Sequence, residues 1–193
     1  MPRTQTDTRE KILAIASDLF YRYGIRAIGV DMIIARSEVA KTTLYRYFPS
    51  KDDLVVAYLE INDRYFWKLF DEVITRFPLE PKQQLLAIFS WLDQLIVSPE
   101  CYGCPFLMVA TEFPEVDYPG HQVALAHKQK LRDRLTELAR LAGIELAAEL
   151  SAILSLLIDG AYAQQRLLKE HDNGVTLEKA AKMTIDAYSA RSA

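Results

Sequence analysis

Glycine and proline in this chain lie almost entirely at the points where helical apolar periodicity stops. The apolar residues before Gly24 recur at spacings of three and four, as on one face of an α-helix, and they are Ile12, Ala16, Leu19, Phe20 and Tyr23. Seven Gly and eight Pro in 193 residues leave few turns, and only Gly160 interrupts a predicted helix. No stretch alternates as a β-strand would, so the sequence predicts an all-α chain of about nine helices.

Charge is distributed unevenly along the chain. Residues 1–51 carry nine basic and five acidic side chains, a net charge of +4, whereas the whole chain has a net charge of −3. The remaining residues therefore carry a net charge of −7. A basic segment joined to a larger acidic one favours a part that binds a polyanion and a second part with another role. We therefore predict two domains, residues 1–51 and residues 52–193.

The segment from Val30 to Phe48 has the pattern of two short helices joined by a tight turn around Glu38. The apolar residues that would lock this pair over the first helix are Ile33, Ile34, Val39, Leu44 and Phe48. The second short helix would then expose Lys41, Thr42, Thr43, Tyr45 and Tyr47, with Lys51 just after it. Such side chains suit phosphate oxygens and base edges in a major groove. A polar surface helix with two half-buried tyrosines is the alternative interpretation.

Arg9 to Leu54, and in particular Leu44-Tyr45-x-Tyr47-Phe48-x-x-Lys51, closely resembles the DNA-binding domain of the tetracycline-repressor (TetR) family of bacterial regulators. The resemblance implies a three-helix helix-turn-helix domain in residues 1–51. It further implies a helical ligand-sensing domain in residues 52–193 that forms a homodimer through its last two helices. The family usually has Gly where this chain has Glu38, so the turn must either avoid a positive φ or tolerate strain.

The resemblance also assigns DNA contacts to individual residues. The expected base-edge or adjacent phosphate contacts are Lys41, Thr42 and Thr43, and the expected phosphate anchors are Tyr45, Tyr47, Lys51 and the amide end of the helix that starts near Val30. A helix N-terminus favours a phosphate because its N–H groups and its dipole both attract negative charge. Leu44 and Phe48 are expected in the core.

Aromatic residues are concentrated in the middle of the chain, where the resemblance implies a cavity for a small, largely apolar effector. The predicted pocket residues are Phe66, Phe70, Phe89, Phe106, Phe113, Asp159 and Tyr162. Most aromatic residues at helical spacing belong to a core, and Asp159 has the alternative role of an interfacial or capping carboxylate.

Cys101 and Cys104 have the C-x-x-C spacing that is found in zinc sites and redox motifs. No second Cys pair or nearby His completes a zinc site, so we favour a plain loop that leads to a buried Cys104. The common nucleotide-hydrolase, esterase and zinc-protease motifs are absent from residues 52–193. We therefore expect neither an enzyme nor a bound metal or cofactor.

Together with these patterns, the resemblance implies a cytoplasmic repressor that binds a palindromic DNA operator as a dimer and is released by a small molecule. The first residues lack the apolar core of a signal peptide, and no apolar run approaches the roughly 20 residues that cross a bilayer. No membrane partner is therefore expected. The alternative is a helical protein–protein adaptor with a head that does not bind DNA, which Glu38 and the acidic total charge favour.

Overall fold

The structure is a computed structural model that describes residues 5–168 and 175–191. Within these ranges the chain forms nine α-helices and no strand, which confirms the predicted all-α fold. The helices are α1 (Gln5–Tyr23), α2 (Val30–Ser37), α3 (Lys41–Tyr47), α4 (Lys51–Ile74), α5 (Pro81–Val97), α6 (Pro105–Glu112), α7 (Pro119–Leu141), α8 (Ala147–Leu168) and α9 (Leu177–Arg191). No helix in the described part of the chain is long and apolar enough to span a membrane.

Prolines and a capping serine mark the points where several helices begin. α5, α6 and α7 start at Pro81, Pro105 and Pro119, where the missing backbone N–H removes no helical hydrogen bond. Before α4, the Ser50 N–H donates to Asp53 Oδ2 at 2.9 Å, and the Asp53 N–H donates to Ser50 Oγ at 3.0 Å. This reciprocal pair is a capping box, with Asp in place of the more usual Glu or Gln.

Glycines in the left-handed backbone region end two of the helices. Gly24 follows α1 with φ 88°, and Gly143 follows α7 with φ 78°. After α7, the Ile144 N–H donates to the Ala139 carbonyl at 3.0 Å and the Gly143 N–H to the Arg140 carbonyl at 2.9 Å. This pair of bonds is a Schellman motif, which satisfies carbonyls that the helix itself leaves open.

The described chain packs as two compact units. The first unit contains the described residues up to Arg64 together with Pro105–Leu125, and the second contains Tyr65–Cys104 and the described residues from Ala126 onward. The start of α7 packs closely against α4 and α6 in the first unit, since a Cβ at Gly120 would lie 3.3 Å from Val55 of α4 and 3.2 Å from Val109 of α6. This division differs from the predicted domains 1–51 and 52–193, whose separate functions stay a prediction.

Each unit has its own apolar core. In the first unit α1, α2 and α3 pack on one another, and in the second unit α5, α8 and α9 do so. The first core contains Ile12, Ala16, Phe20, Ile33, Leu44 and Phe48, and the second contains Leu85, Phe89, Leu150, Leu154, Ala181 and Ile185. The predicted spacing of three and four identifies the buried face of α1 at Ile12, Ala16, Leu19 and Phe20, whereas Tyr23 at the end of the helix is exposed.

Candidate nucleic-acid interface

α3 has one buried and one exposed face. Leu44 and Phe48, four residues apart, are only 1% and 2% exposed, which confirms their predicted core role. The other face carries the predicted DNA contacts, with Lys41, Thr42 and Tyr45 exposed and Thr43 and Tyr47 half-buried. A short helix is thus fixed by its apolar side and offers amine, hydroxyl and phenol groups on the other.

The first cation of α3 is paired within the protein. Lys41 Nζ lies 3.4 Å from Asp31 Oδ1 of α2, and both side chains are largely exposed. Exposed ion pairs of this kind contribute little free energy because water and salt screen them. A phosphate can therefore compete with Asp31 for the Lys41 ammonium.

Arg46 lies on the exposed side of α3 but is not among the predicted contacts. Its guanidinium lies 5.0 Å from the centre of the Tyr47 ring, and its Nη2 lies 3.4 Å from the Tyr47 hydroxyl. The arginine therefore adds a second cation next to a predicted phosphate anchor. Its position in the sequence between Tyr45 and Tyr47 is the signal by which Arg46 could have been added to the predicted contacts.

The turn between α2 and α3 uses a left-handed residue that is not glycine. Glu38 has φ 54° and ψ 38°, so the turn tolerates strain instead of avoiding a positive φ. The Glu38 carboxylate lies 3.6 Å from Lys11 Nζ of α1. Beside it, the buried Ser37 hydroxyl donates to the Ile33 carbonyl at 2.6 Å, which satisfies the last polar side chain of α2.

The start of α2 has no side-chain cap. Gly29 precedes the helix in an extended conformation and provides no side-chain cap, and the half-buried Val30 is the first helical residue. The first N–H groups of a helix without a side-chain cap can bind an anion. This geometry is compatible with the phosphate contact predicted at Val30, although Asp31 adds a negative charge next to it.

Lys51 contacts the backbone of the α1–α2 loop. Its half-buried Nζ donates to the Ile25 carbonyl at 2.6 Å. Burial lowers the pKa of the Lys51 ammonium, and the nearby Glu112 carboxylate opposes that shift. The amine has therefore taken a structural partner that its sequence position does not indicate, and its predicted contact with phosphate stays a prediction.

The predicted pocket residues belong to both units. Phe106 and Phe113 are part of the first unit, whereas the other five are part of the second. In the second unit the Phe66 and Phe70 rings lie 6.2 Å apart, and Phe66 meets the His127 ring edge-on at 4.8 Å. Because His127 is only 4% exposed, this aromatic group has a buried imidazole among its members.

The remaining pocket residues take different environments. Phe70 and Phe89 are fully buried in the core of the second unit, and Tyr162 packs against that core. Asp159 forms an ion pair with Lys128, which agrees with the rule that buried or half-buried charges have partners. The role of these side chains in binding an effector stays a prediction.

A cavity of about 490 Å³ opens elsewhere in the second unit, between α5, α8 and the start of α9. Its lining includes Ile96, Leu156, Gly160, Gln164, Leu177 and Ala180. None of the seven predicted pocket residues lines it. The sequence pattern therefore does not locate this cavity, because its walls come from residues that are mostly small or aliphatic.

The two cysteines precede α6. Cys104 is 6% exposed and Cys101 is half-buried, and neither forms a disulfide. This placement confirms the expected loop that leads to a buried Cys104. Among the described residues, no group of three or more His, Cys, Asp or Glu side chains is placed to hold a metal ion.

Comparison with known proteins extends the resemblance. The family described as bacterial regulatory proteins, tetR family, matches residues 12–58. The transcriptional repressor NemR of Escherichia coli is 27% identical over 110 residues, which cover 56% of this chain and 55% of NemR. The uncharacterized transcriptional regulator YxaF of Bacillus subtilis is 28% identical over 124 residues, which cover 62% of this chain and 63% of YxaF. The matched region thus spans less than two thirds of either relative.

A solved structure extends the match over nearly the whole chain. A TetR-family transcriptional regulator from Streptomyces coelicolor is similar with a TM-score of 0.87 and 30% sequence identity, covering 97% of this chain and 96% of that chain. This agreement includes the helix-turn-helix and the helices that follow it. The chain therefore belongs to the TetR family, and it is a DNA-binding transcriptional regulator and not an enzyme.

Proposed function

We propose that this protein is a cytoplasmic, ligand-responsive repressor that binds a palindromic operator as a homodimer and releases it when a small, largely apolar molecule binds. The observation that carries the proposal is the two-faced α3 helix, in which buried Leu44 and Phe48 hold exposed Lys41, Thr42 and Tyr45 on one side. The description of NemR as a repressor supports the repressing direction.

The dimensions of α3 support its insertion into DNA. An α-helix with its side chains is about 10–12 Å across, which the major groove of about 12 Å width admits, and the seven residues of α3 extend about 10 Å along the helix axis. Lys41, Thr42 and Thr43 form its first turn and would read base edges. Arg46 and Tyr47 lie in its last turn and would contact phosphates, which position the helix without reading sequence.

The glycine in the middle of α8 supports a dimer. A Cβ at Gly160 would meet no atom within 4 Å, so the packing of this chain does not require glycine there. Glycine in a helix interior is nevertheless about 0.5–1 kcal/mol less stable than alanine. Leu156 and Leu167 lie on the same helical face and are 72% and 81% exposed. A helix from a second copy, packed closely at Gly160, would account for both the glycine and the exposed leucines.

α9 extends this surface with Met183, which is 64% exposed. A surface that packs against its own copy across a two-fold axis forms a closed dimer. Such a dimer carries two α3 helices, and a separation of about 34 Å between them would match successive major grooves of a palindrome. Binding of an effector can then change DNA affinity by favouring another separation.

The aromatic group around Phe66 supports an apolar effector. It combines aromatic rings with the buried His127, while the half-buried Lys128–Asp159 pair supplies charged groups in the same unit. Trp67 and Trp91, the two tryptophans of the chain, both contact Phe66, with ring centres 5.3 Å away. An effector bound there should change the tryptophan emission, and Phe66→Ala should weaken that response.

DNA binding and its salt dependence test the proposal against an adaptor. The experiment measures the fluorescence anisotropy of labelled DNA from the region upstream of the protein's own gene, and of unrelated DNA, over a series of salt concentrations. We expect tighter binding to the upstream palindrome, with an affinity that falls steeply as salt rises because bound phosphates release counterions. Salt-independent binding, or none, would instead favour the adaptor function.

Two sets of variants test the residue assignments. Lys41→Ala and Thr43→Ala should change sequence preference, because these side chains are proposed to reach base edges. Tyr47→Ala should weaken binding to all DNA sequences alike, because a phosphate contact carries no sequence information. An unchanged footprint and affinity in both sets would remove α3 from the proposed interface.

A further inference from the structure

The carboxylate of Glu112, the last residue of α6, binds the loop between α1 and α2. The Ile25 N–H donates to Glu112 Oε1 at 2.9 Å, and the Arg26 N–H donates to Oε2 at 2.6 Å. Each oxygen of the carboxylate thus accepts one backbone N–H, and the two N–H groups belong to successive residues. Hydrogen bonds to a charged acceptor are stronger than those between neutral groups.

The same loop is bound from the other side by a cation. Lys51 Nζ donates to the Ile25 carbonyl at 2.6 Å, and the negative charge of Glu112 raises the pKa of Lys51 against the lowering by burial. The peptide groups of Ile25 therefore lie between a carboxylate from α6 and an ammonium from α4. The buried Ile25 side chain, 1% exposed, anchors the loop in the apolar core.

Aromatic contacts strengthen this attachment. The Arg26 guanidinium lies 4.8 Å from the centre of the Phe113 ring, and Phe113 stacks on Tyr118 with ring centres 4.2 Å apart. The Tyr118 hydroxyl donates to Asp52 Oδ1 at 3.0 Å, next to Lys51 at the start of α4. Burial, followed by the bond to Asp52, raises the pKa of Tyr118 well above its ordinary value, so the phenol stays protonated.

The loop conformation fits the carboxylate closely. Gly24 begins the loop with φ 88°, and a Cβ added there would lie 3.1 Å from Glu112 Oε1. The loop leads directly to Gly29, the N-cap of α2, so its conformation sets the position of α2 relative to α1. Because α2 packs against α3, a change in this loop would also move the proposed DNA-contacting helix.

We propose that Glu112 is a positioning residue for DNA binding, which holds the α1–α2 loop so that α2 and α3 stay in the arrangement that fits DNA. This inference rests on the DNA-binding part of the proposed function. Glu112 contacts no DNA in this proposal and acts through the fraction of molecules in the binding-competent arrangement. The observed dissociation constant is the intrinsic constant divided by that fraction.

The sign of the effect separates positioning from simple electrostatics. Glu112→Gln removes a negative charge from the DNA-binding unit, which by long-range attraction alone would strengthen binding to a polyanion. The glutamine has nearly the same size, but its amide nitrogen cannot accept the Ile25 or Arg26 N–H. Positioning therefore predicts weaker binding, the opposite direction.

The experiment compares full-length wild type, Glu112→Gln and Glu115→Gln by anisotropy with the DNA that wild type binds. Glu115 is exposed in the segment after α6, so its variant removes the same charge nearby without touching the loop. We expect Glu112→Gln to weaken binding by about tenfold with an unchanged salt slope, since phosphate contacts are kept. We expect Glu115→Gln to bind as wild type or slightly more tightly.

Two further measurements keep the result interpretable. Circular dichroism identifies a temperature at which every variant is fully folded, and binding is measured there, so a stability loss alone cannot lower affinity. Amide hydrogen exchange should become faster at Ile25 and Arg26 in Glu112→Gln, and Glu112→Asp, which keeps the charge, should restore part of the affinity.

Equal or tighter binding by folded Glu112→Gln would overturn the positioning role. If wild type itself fails to bind DNA, the DNA-binding part of the proposed function fails instead. The exchange rates at Ile25 and Arg26 then still test whether Glu112 holds the α1–α2 loop. Unchanged exchange at both amides would remove the structural basis of the inference.

Discussion

The Lys41 ammonium lies 3.4 Å from the Asp31 carboxylate, so the protein already pairs the first cation of the helix that we propose contacts DNA. In the proposed complex, DNA would displace this partner and approach a negative charge at the start of α2. We therefore predict that Asp31→Asn binds every DNA sequence more tightly, by about two- to fivefold at low salt. Anisotropy titrations should show this difference shrinking as salt rises.

Asp71→Asn is the matched control for Asp31→Asn. Asp71 is exposed and pairs with Arg134 at 3.3 Å in the second unit, so its variant makes the same charge change outside the proposed interface. An equal gain in DNA affinity from Asp71→Asn would show that net charge, and not the release of Lys41, is responsible.

Relief of the left-handed backbone at Glu38 should stabilise the fold. Glycine adopts φ 54° without a steric penalty, so we predict that Glu38→Gly raises the free energy of unfolding by up to about 1 kcal/mol. Urea denaturation measures this change. Glu38→Gln keeps the strained backbone and loses only the charge, so it should unfold close to wild type; an equal gain in both variants would assign the effect to charge.

The capping box at the start of α4 should contribute measurably to stability. Ser50→Ala removes the hydroxyl that accepts the Asp53 N–H, and we predict a loss of about 1 kcal/mol in the free energy of unfolding. Asp53→Ala removes the reciprocal acceptor of the Ser50 N–H and hydroxyl. Because the two groups share one motif, the double variant should lose less than the sum of the single losses, and full additivity would contradict this coupling.

A large side chain at Gly160 should disrupt the proposed dimer without disturbing the monomer. The space around a Cβ at this position is open within the described chain, and Gly160 lines the cavity between α5, α8 and α9, so we expect the monomer to accommodate Gly160→Leu. We predict a shift from dimer to monomer in light scattering coupled to size-exclusion chromatography, and a loss of affinity for the palindrome. Gln129→Leu, which adds an apolar group at an exposed position of α7, should remain dimeric.

Much of the fold follows from local sequence signals. Pro81, Pro105 and Gly143 mark helix boundaries, and the spacing of Leu44 and Phe48 identifies the buried face of α3. These signals succeed because capping, proline and amphipathic spacing act over a few residues. Each of these signals depends only on residues within about one turn of a helix, so the local sequence contains all of it.

Other features depend on partners far away in the sequence. Glu112 binds backbone groups of residues 25 and 26, and backbone groups leave no pattern in the sequence. Lys51 matches a family position but places its amine on a carbonyl, which no spacing rule indicates. The sequence does not determine the φ of Glu38, because it allows either a turn without a positive φ or a strained turn with one.

The bonds from Glu112 to Ile25 and Arg26 also have a consequence for synthesis on the ribosome. The first helices emerge early, but the acceptor for these two N–H groups is translated more than 80 residues later. In a nascent chain that ends near Arg64, the N–H groups of Ile25 and Arg26 can therefore bond only to water. Closing a loop of this length slows the later step in which Glu112 reaches them. Under the proposed positioning role of Glu112, the first unit would therefore reach its DNA-binding arrangement only after α6 has left the exit tunnel.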